Sequence, residues 1–304
     1  MDRKTILVPL DGSPESEAAL DYAEAIAAVQ GAGLRLLTVV DDAPQFLFTE
    51  KPEAEVDMLA RQQANAQAYL DGKAAALRGP ERQVSTAVVL GDPARVILDS
   101  AVAGDVEMLV LATHGRGGLQ RWLVGSVADK VMRMSHRPTL LVRPPESPTA
   151  RRDVKLRHLV VPLDGSPMAE EAVAPAAQLA QAAEAELWLV RVEPWLMQAV
   201  GRWGGDGIYT PDLDRLEQEA GAAVAEYLAG VQKRLPACVR SKTFVLRGLP
   251  APELEAFLSQ NNADLVVMST HARGGLPRFV LGSTAERLVG AGFPTLLIRP
   301  TESE

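Results

Sequence analysis

Two stretches of this chain gather residue types able to hold an anion. Leu109 to Val127 reads Leu-Val-Leu-Ala-Thr-His-Gly-Arg-Gly-Gly-Leu-Gln-Arg-Trp-Leu-Val-Gly-Ser-Val, and Leu265 to Thr284 repeats it with changes. Each opens as a short apolar run, crosses a glycine-rich segment with two arginines, and ends at Gly125-Ser126 or Gly282-Ser283. Such an apolar run, bounded by turn signals, has the pattern of a strand buried on both faces. Ser126 stands where an N-cap belongs, ahead of a helical pattern at Val127, Val131 and Met134. Strand, glycine loop and helix start together make an anion pocket, where unpaired N–H groups and the helix dipole converge and glycines admit a phosphate closely.

A second repeated run supplies a carboxylate. Leu7-Val8-Pro9-Leu10-Asp11-Gly12-Ser13-Pro14 returns as Val160-Val161-Pro162-Leu163-Asp164-Gly165-Ser166-Pro167. A carboxylate suits ribose hydroxyls or an exocyclic amine, while arginines, a helix start and a serine hydroxyl suit phosphates, with or without a divalent cation. The division of labour is nucleotide-shaped. Each part also has a plainer reading: Gly-Ser-Pro as a helix start, Asp11 as a turn cap, Arg116, Arg121, Arg273 and Arg278 as solvated charges. His114 and His271 could serve as general bases, yet nothing supplies a nucleophile with an orienting partner. The reading therefore favours loop packing and assigns no catalytic residue. His136 and His158 lie elsewhere and suggest no metal cluster.

The elements that position these residues follow from the pattern. A strand ending near Leu10 leads to a helix capped by Ser13 and stopped at Gly31-Ala32-Gly33, with Leu20, Ala23, Ile26 and Val29 on its apolar face. Leu34–Val40 is the second strand, and Asp41 to Pro52 a loop carrying Phe46 and Phe48. A long helix runs to about Leu77, and Val84–Leu90 is the third strand. Gly91-Asp92-Pro93 opens a helix to about Val102, Met108–Ala112 is the fourth strand, and Thr139–Val142 the fifth. Alternating strands and helices imply parallel βα units, a doubly wound α/β sheet.

Arg143 to Asp153 has the composition of a linker, after which the pattern restarts. Asp164 lies 153 residues after Asp11, but His271 lies 157 after His114. Four extra residues therefore enter between, most economically in Pro194 to Pro211, whose Trp195, Trp203 and Tyr209 read equally as a lid or a partner surface. The expected domains are 1–145 and 156–304, joined by 146–155. A whole-domain period points to duplication and not to a short-repeat solenoid.

With 304 residues, 47% apolar and 23% charged, the composition is globular with room for two cores. A net charge of −8 argues against non-specific nucleic-acid binding. Cys238 is the only cysteine, which rules out an intrachain disulfide or a multi-thiolate zinc site and fits a reducing cytoplasm. The N-terminus runs straight into a strand pattern, leaving no signal peptide expected, and no apolar span is long enough to cross a bilayer.

These motifs resemble the universal stress protein family, once per half. The nucleotide-binding members of that family share Gly, two residues, Gly, nine residues, then Gly followed by Ser or Thr. Here the first half reads Ala112-Thr113-His114-Gly115, nine residues, Gly125-Ser126; the second reads Ser269-Thr270-His271-Ala272, nine residues, Gly282-Ser283. The first glycine is replaced in both halves and the middle one in the second, so the first pocket is the better candidate. The resemblance implies two flavodoxin-like, five-stranded domains of strand order 3-2-1-4-5. It also implies that they pair as an internal pseudo-dimer through the edge strands Leu140–Arg143 and Leu296–Arg299, with a homodimer of the whole chain open. It implies ATP, with or without Mg²⁺, as the ligand. The binding residues would be Pro9, Asp11, Ser13, Val39, Ala112, His114, Gly115, Arg116, Gly118, Gly125, Ser126 and Val127. In the second half they would be Pro162, Asp164, Ser166, Val192, Ser269, His271, Ala272, Arg273, Gly282, Ser283 and Thr284. Val39 and Val192 would lie against adenine.

No Walker lysine motif is present, so binding is favoured over turnover in an ATP-binding stress-response protein. Two alternatives stand beside this. One is a scaffold that has lost nucleotide and acts by protein association. The other is a related adenine-nucleotide hydrolase, which would want a Ser-Gly-Gly-x-Asp-Ser loop that Asp11-Gly12-Ser13-Pro14 does not supply.

Overall fold

Strand β1 (Thr5–Pro9) is apolar from Ile6 onward because neighbours cover both faces: Ile6, Leu7 and Val8 are at most 1% exposed. The computed structural model describes residues 4–41, 52–79, 82–113, 125–145, 153–193, 213–269 and 282–299, and side chains 52–56 and 213–217 are not described. It divides into two compact units, the first ending and the second beginning at Lys155 and Leu156.

In the first unit β1 is followed by α1 (Pro14–Gln30), β2 (Gly33–Val40), α2 (Pro52–Leu77), β3 (Val84–Leu90), α3 (Pro93–Ala101), β4 (Val106–Ala112), α4 (Ser126–Met134) and β5 (Thr139–Val142). The strands pair in parallel in the order β3-β2-β1-β4-β5. With right-handed crossovers, the reversal after β3 puts α1 and α2 on one face and α3 and α4 on the other. The side chains agree. Tyr69 and Lys73 of α2 both bond Glu17 of α1, and α3 packs on α4.

Local chemistry sets the helix ends. Ser13 caps α1 by accepting from the Ser16 N–H, with Pro14 in the first turn, and Gly31 ends it in the left-handed region at φ 63°. Asp92 caps α3 through the Arg95 N–H. Three expectations need correction. The N-cap of α4 is Gly125 and not Ser126, and no side chain caps it. Its buried face is Ala128, Val131 and Met132, while Met134 is 46% exposed. Strand β4 also starts at Val106, ahead of Met108.

The second unit comprises β6 (His158–Pro162), α5 (Pro167–Glu170), α6 (Val173–Ala182), β7 (Glu186–Glu193), α7 (Leu213–Lys233), β8 (Arg240–Arg247), α8 (Pro250–Gln260), β9 (Leu265–Ser269), α9 (Ser283–Ala291) and β10 (Thr295–Ile298). All its ladders are parallel, in the order β8-β7-β6-β9-β10. The counterpart of α1 is split. Pro175 has no N–H to reach back to Glu171, and the helix breaks at Glu171-Ala172. Gly33 and Glu186, the starts of β2 and β7, are 153 residues apart, whereas Leu90 and Arg247, the ends of β3 and β8, are 157 apart. The four extra residues thus enter between β7 and β8. The segment 194–211 expected to hold them, with Trp195, Trp203 and Tyr209, lies outside the described residues, as do Phe46 and Phe48. This core is the more aromatic one: Trp188, Phe244 and Phe257 meet edge to face or tilted at 4.9–5.7 Å.

Candidate functional site at the carboxyl ends of the strands

In each unit the winding direction reverses between the first and fourth strands, and the crevice beyond their carboxyl ends is where open α/β sheets take ligands. In the first unit that crevice is laced together by backbone bonds. The Leu10 N–H donates to Leu37 O at 2.8 Å, the Gly91 N–H to Val40 O at 3.0 Å and the Thr113 N–H to Val142 O at 2.8 Å. The Thr38 hydroxyl donates to Leu10 O. The exits of β1, β2 and β3 are thereby tied to one another, and so are those of β4 and β5.

Asp11 leaves β1 at this edge and is exposed. Its Oδ1 accepts from both the N–H and the hydroxyl of Ser13, the former at 2.9 Å. Gly12 between them sits at φ 77°, which favours glycine. Asp164 does the same with Ser166, around Gly165 at φ 88°. The plainer reading of both aspartates as turn caps is thus present in the structure. It still leaves the carboxylates at the crevice mouth.

Opposite Asp11, the Gly125 N–H donates to Thr113 O at 2.5 Å and closes the glycine loop at its base. Thr113 is fully buried there, and α4 begins at once. Gly125 has φ −63° and ψ 154°, and Gly282, at the start of α9, has φ −63° and ψ 151°. Any residue adopts those angles, so the backbone does not require glycine at either place. What both lack is a side chain, and so a cap. The first-turn N–H groups of α4 and α9 have no side-chain acceptor at the cap, unlike those of α1, α3 and α5.

Val39, next to last in β2, is half-buried, and its register partner Val89 on β3 is 37% exposed. Together they form an apolar step beside the Asp11 turn. Val89 is not marked by any motif; only strand pairing reveals it. Ala112 and Pro9 are half-buried at the exits of β4 and β1, Ser126 is exposed, and Val127 is half-buried. His114, Gly115, Arg116 and Gly118, like His271, Ala272 and Arg273, fall outside the described residues.

The second crevice is built differently. Val192 packs with Leu246 against the aromatic core. Ser269, in place of the first motif glycine, has a buried hydroxyl oxygen with no hydrogen-bond partner among the described residues. Arg191 lies so close over Gly165 that a Cβ there would meet its Nη1 at 2.6 Å, and it stacks 4.8 Å from the Tyr227 ring. Pro162 is half-buried, Asp164 and Ser283 bracket the mouth, and Gly282 and Thr284 flank the helix start.

A tyrosine from the second long helix stands behind each aspartate. Tyr69 donates to Glu17 Oε1 at 3.0 Å, and burial first, then the charge of Glu17, raises its pKa well above the ordinary range. Tyr227 is pushed up to about 12 by burial and by Glu170, with Arg191 opposing. Its hydroxyl is buried without an acceptor in bonding geometry. Neither phenol suits proton transfer near neutral pH. The Lys130 amine, one turn into α4, lies 3.3 Å from Asp92 Oδ1, a pair that sequence reading passed over. The only signal was the fourfold spacing from Ser126 to Lys130.

A cleft of about 670 Å³ opens at the other end of the first sheet, by Thr5, Arg35, Arg78, Arg82 and Asp105. Two of its arginines are committed to structure, Arg35 to Asp105 and Arg82 to Glu24 and Leu77 O. Among the described residues no three His, Cys, Asp or Glu side chains gather to hold a metal, and no helix is long and apolar enough to cross a membrane.

Comparison with known proteins agrees with this arrangement. The chain is 28% identical over 299 residues to universal stress protein Rv2005c of Mycobacterium tuberculosis, covering 97% of this chain and 96% of that one. It is 30% identical over 309 residues to Rv1996 of the same organism, covering 96% and 94%. A universal stress protein from Archaeoglobus fulgidus shares the fold at a TM-score of 0.68 and 18% identity, over 98% of this chain and 99% of that one. The universal stress protein family model matches twice, at residues 2–143 and 155–299. This chain belongs to the universal stress protein family, as a tandem member with one copy of the fold in each half.

Proposed function

We propose that the first unit binds an adenine nucleotide, ATP, with or without Mg²⁺, as a regulatory stress-response module with little or no hydrolysis. The observation that carries this is the start of α4. Gly125 adopts angles open to any residue yet presents no side chain, and it leaves first-turn N–H groups uncapped where the loop closes on Thr113. Phosphates would take those N–H groups and Ser126; Asp11 would meet ribose hydroxyls; Val39 and Val89 would form a wall for the base. Pro9, Ser13, Ala112 and Val127 frame the same crevice, and His114, Gly115, Arg116 and Gly118 would complete it from the loop.

The test is equilibrium binding of ATP to the purified chain and its Gly125→Asp variant. The variant should keep its circular dichroism spectrum and Tm and lose binding. Unchanged affinity would remove the site. A second reading, a scaffold that acts by protein association in the cytoplasm, draws on one observation: the Asp11 and Asp164 carboxylates are already used in their turns. Failure of wild-type protein to bind ATP at millimolar concentration would favour it.

The second pocket, with Asp164, Ser166, Val192, Gly282, Ser283 and Thr284, is the weaker nucleotide site. Ser269 and Ala272 replace glycines there, and His271 and Arg273 would lie on its loop. We also propose domains of 1–145 and 156–304 that pair through Leu140–Arg143 and Leu296–Arg299, a reading that rests on the matching apolar edges in sequence. Cysteines placed in those two strands should then crosslink within one chain, and a failure to do so under mild oxidation would refute the pairing.

A further inference from the structure

Lys130 occupies the position four residues after Ser126 and so shares its face of α4. Helical side chains lean toward the N-terminus, and this one brings its amine to Asp92, the cap of α3 at the exit of β3. The amine is thus held at the level of the strand exits, beside the uncapped start of α4. Nothing fixes it there firmly. Both partners are about half exposed, at 52% and 54%, and an ion pair 3.3 Å long in that setting contributes little. Asp92 has another task that does not need Lys130, since its Oδ1 accepts the Arg95 N–H at 2.8 Å. That bond first, and Lys130 second, hold its carboxyl below the usual range, so it stays ionised near neutral pH.

The second unit shows what changes when this arrangement is absent. Arg287 stands 157 residues after Lys130, and Leu249 stands 157 after Asp92. Leu249 is 53% exposed and caps nothing. Arg287 pairs instead with Glu255, within α8, at 2.7 Å. The base is retained, but it is engaged along the neighbouring helix and not at its start.

We propose that Lys130 is the specificity residue that reads phosphate-chain length in the first unit, exchanging Asp92 for the terminal phosphate of a nucleoside triphosphate. This rests on nucleotide binding in the first crevice. A monophosphate held at the α4 N–H groups would leave the Lys130–Asp92 pair in place. A triphosphate extends further and offers a more highly charged acceptor for the same amine. The second unit lacks the device and has no such preference.

The experiment measures ATP and AMP affinity by calorimetry on the full chain. Wild type should favour ATP. Lys130→Met should weaken ATP about tenfold, the worth of one charge-assisted bond, while AMP changes by less than about twofold. Lys130→Arg should keep the preference, and Arg287→Met should leave both affinities unchanged. Asp92→Asn preserves the cap but releases Lys130, and should tighten ATP. An unchanged ATP-to-AMP ratio in Lys130→Met overturns the proposal and leaves nucleotide binding standing. Absence of both ligands from wild type overturns both.

Discussion

At the residue scale, Asp11 separates structure from recognition. Its Oδ1 ties the turn to Ser13, and an asparagine can do the same without charge. Asp11→Asn should keep the urea midpoint and weaken nucleotide binding. Asp11→Ala should do both harms, lowering stability by about 1 kcal/mol for the lost hydrogen bonds. If asparagine binds ATP as wild type does, the carboxylate has no recognition role. Glu186 gives a pH prediction. The Trp188 indole N–H, donating at 2.7 Å, lowers its pKa most; burial opposes, and Lys242 adds to the lowering. Because the folded-state pKa is depressed, the stability this adds is present above the ordinary glutamate range and is lost as pH falls through the lower value. A chain with Trp188 as its sole tryptophan should show a fluorescence midpoint below that of an unperturbed glutamate. A midpoint at or above it would contradict the assignment.

At the scale of elements, the two tyrosines make a paired prediction. Tyr69→Phe removes a bond to Glu17 that joins α2 to α1, and should cost about 1 kcal/mol. Tyr227→Phe removes a buried hydroxyl that lies near Glu170 but makes no hydrogen bond of good geometry among the described residues, and should leave Tm nearly unchanged. Tyr227 also has a raised folded-state pKa, so the unfolded chain loses its proton first as pH rises. Wild type should lose stability between pH about 10 and about 12, and the phenylalanine variant less so; parallel curves would refute the shift.

Much of each element was legible because its signals act locally. Ser13, Asp92 and Gly31 mark helix ends through chemistry within a turn of themselves, and they stand where sequence places them. The start of α4 was not legible. Gly125 and Ser126 both suit an N-cap, and the choice is made by the bond from the Gly125 N–H to Thr113 O, twelve residues back. Met134 fits the helical period from Val127 through Val131, but burial follows Ala128, Val131 and Met132, so of the three expected positions only Val131 is buried. The step formed by Val39 and Val89 depends on strand register, which no single-strand pattern encodes.

At the scale of the molecule, the duplication shows through divergence as clearly as through repetition. Ser13 and Ser166 cap their helices alike, yet Pro175 splits the second helix and Leu249 replaces the Asp92 cap. If only the first unit takes ATP, calorimetry should give one nucleotide per chain, and the Tm should rise with ligand by mass action, by about 2.7 kcal/mol of added stability at a hundredfold excess over Kd. Two equivalent sites would show that Ser269 and Ala272 are tolerated. The backbone angles of Gly125 and Gly282 bear on how such a chain can change over generations. On the proposed nucleotide-binding reading, a side chain at either glycine would block ligand approach without straining the main chain, so a single base substitution would silence one half while the folded body stays under selection. Two copies in one chain let that loss happen in stages, leaving the silent half free to acquire another task.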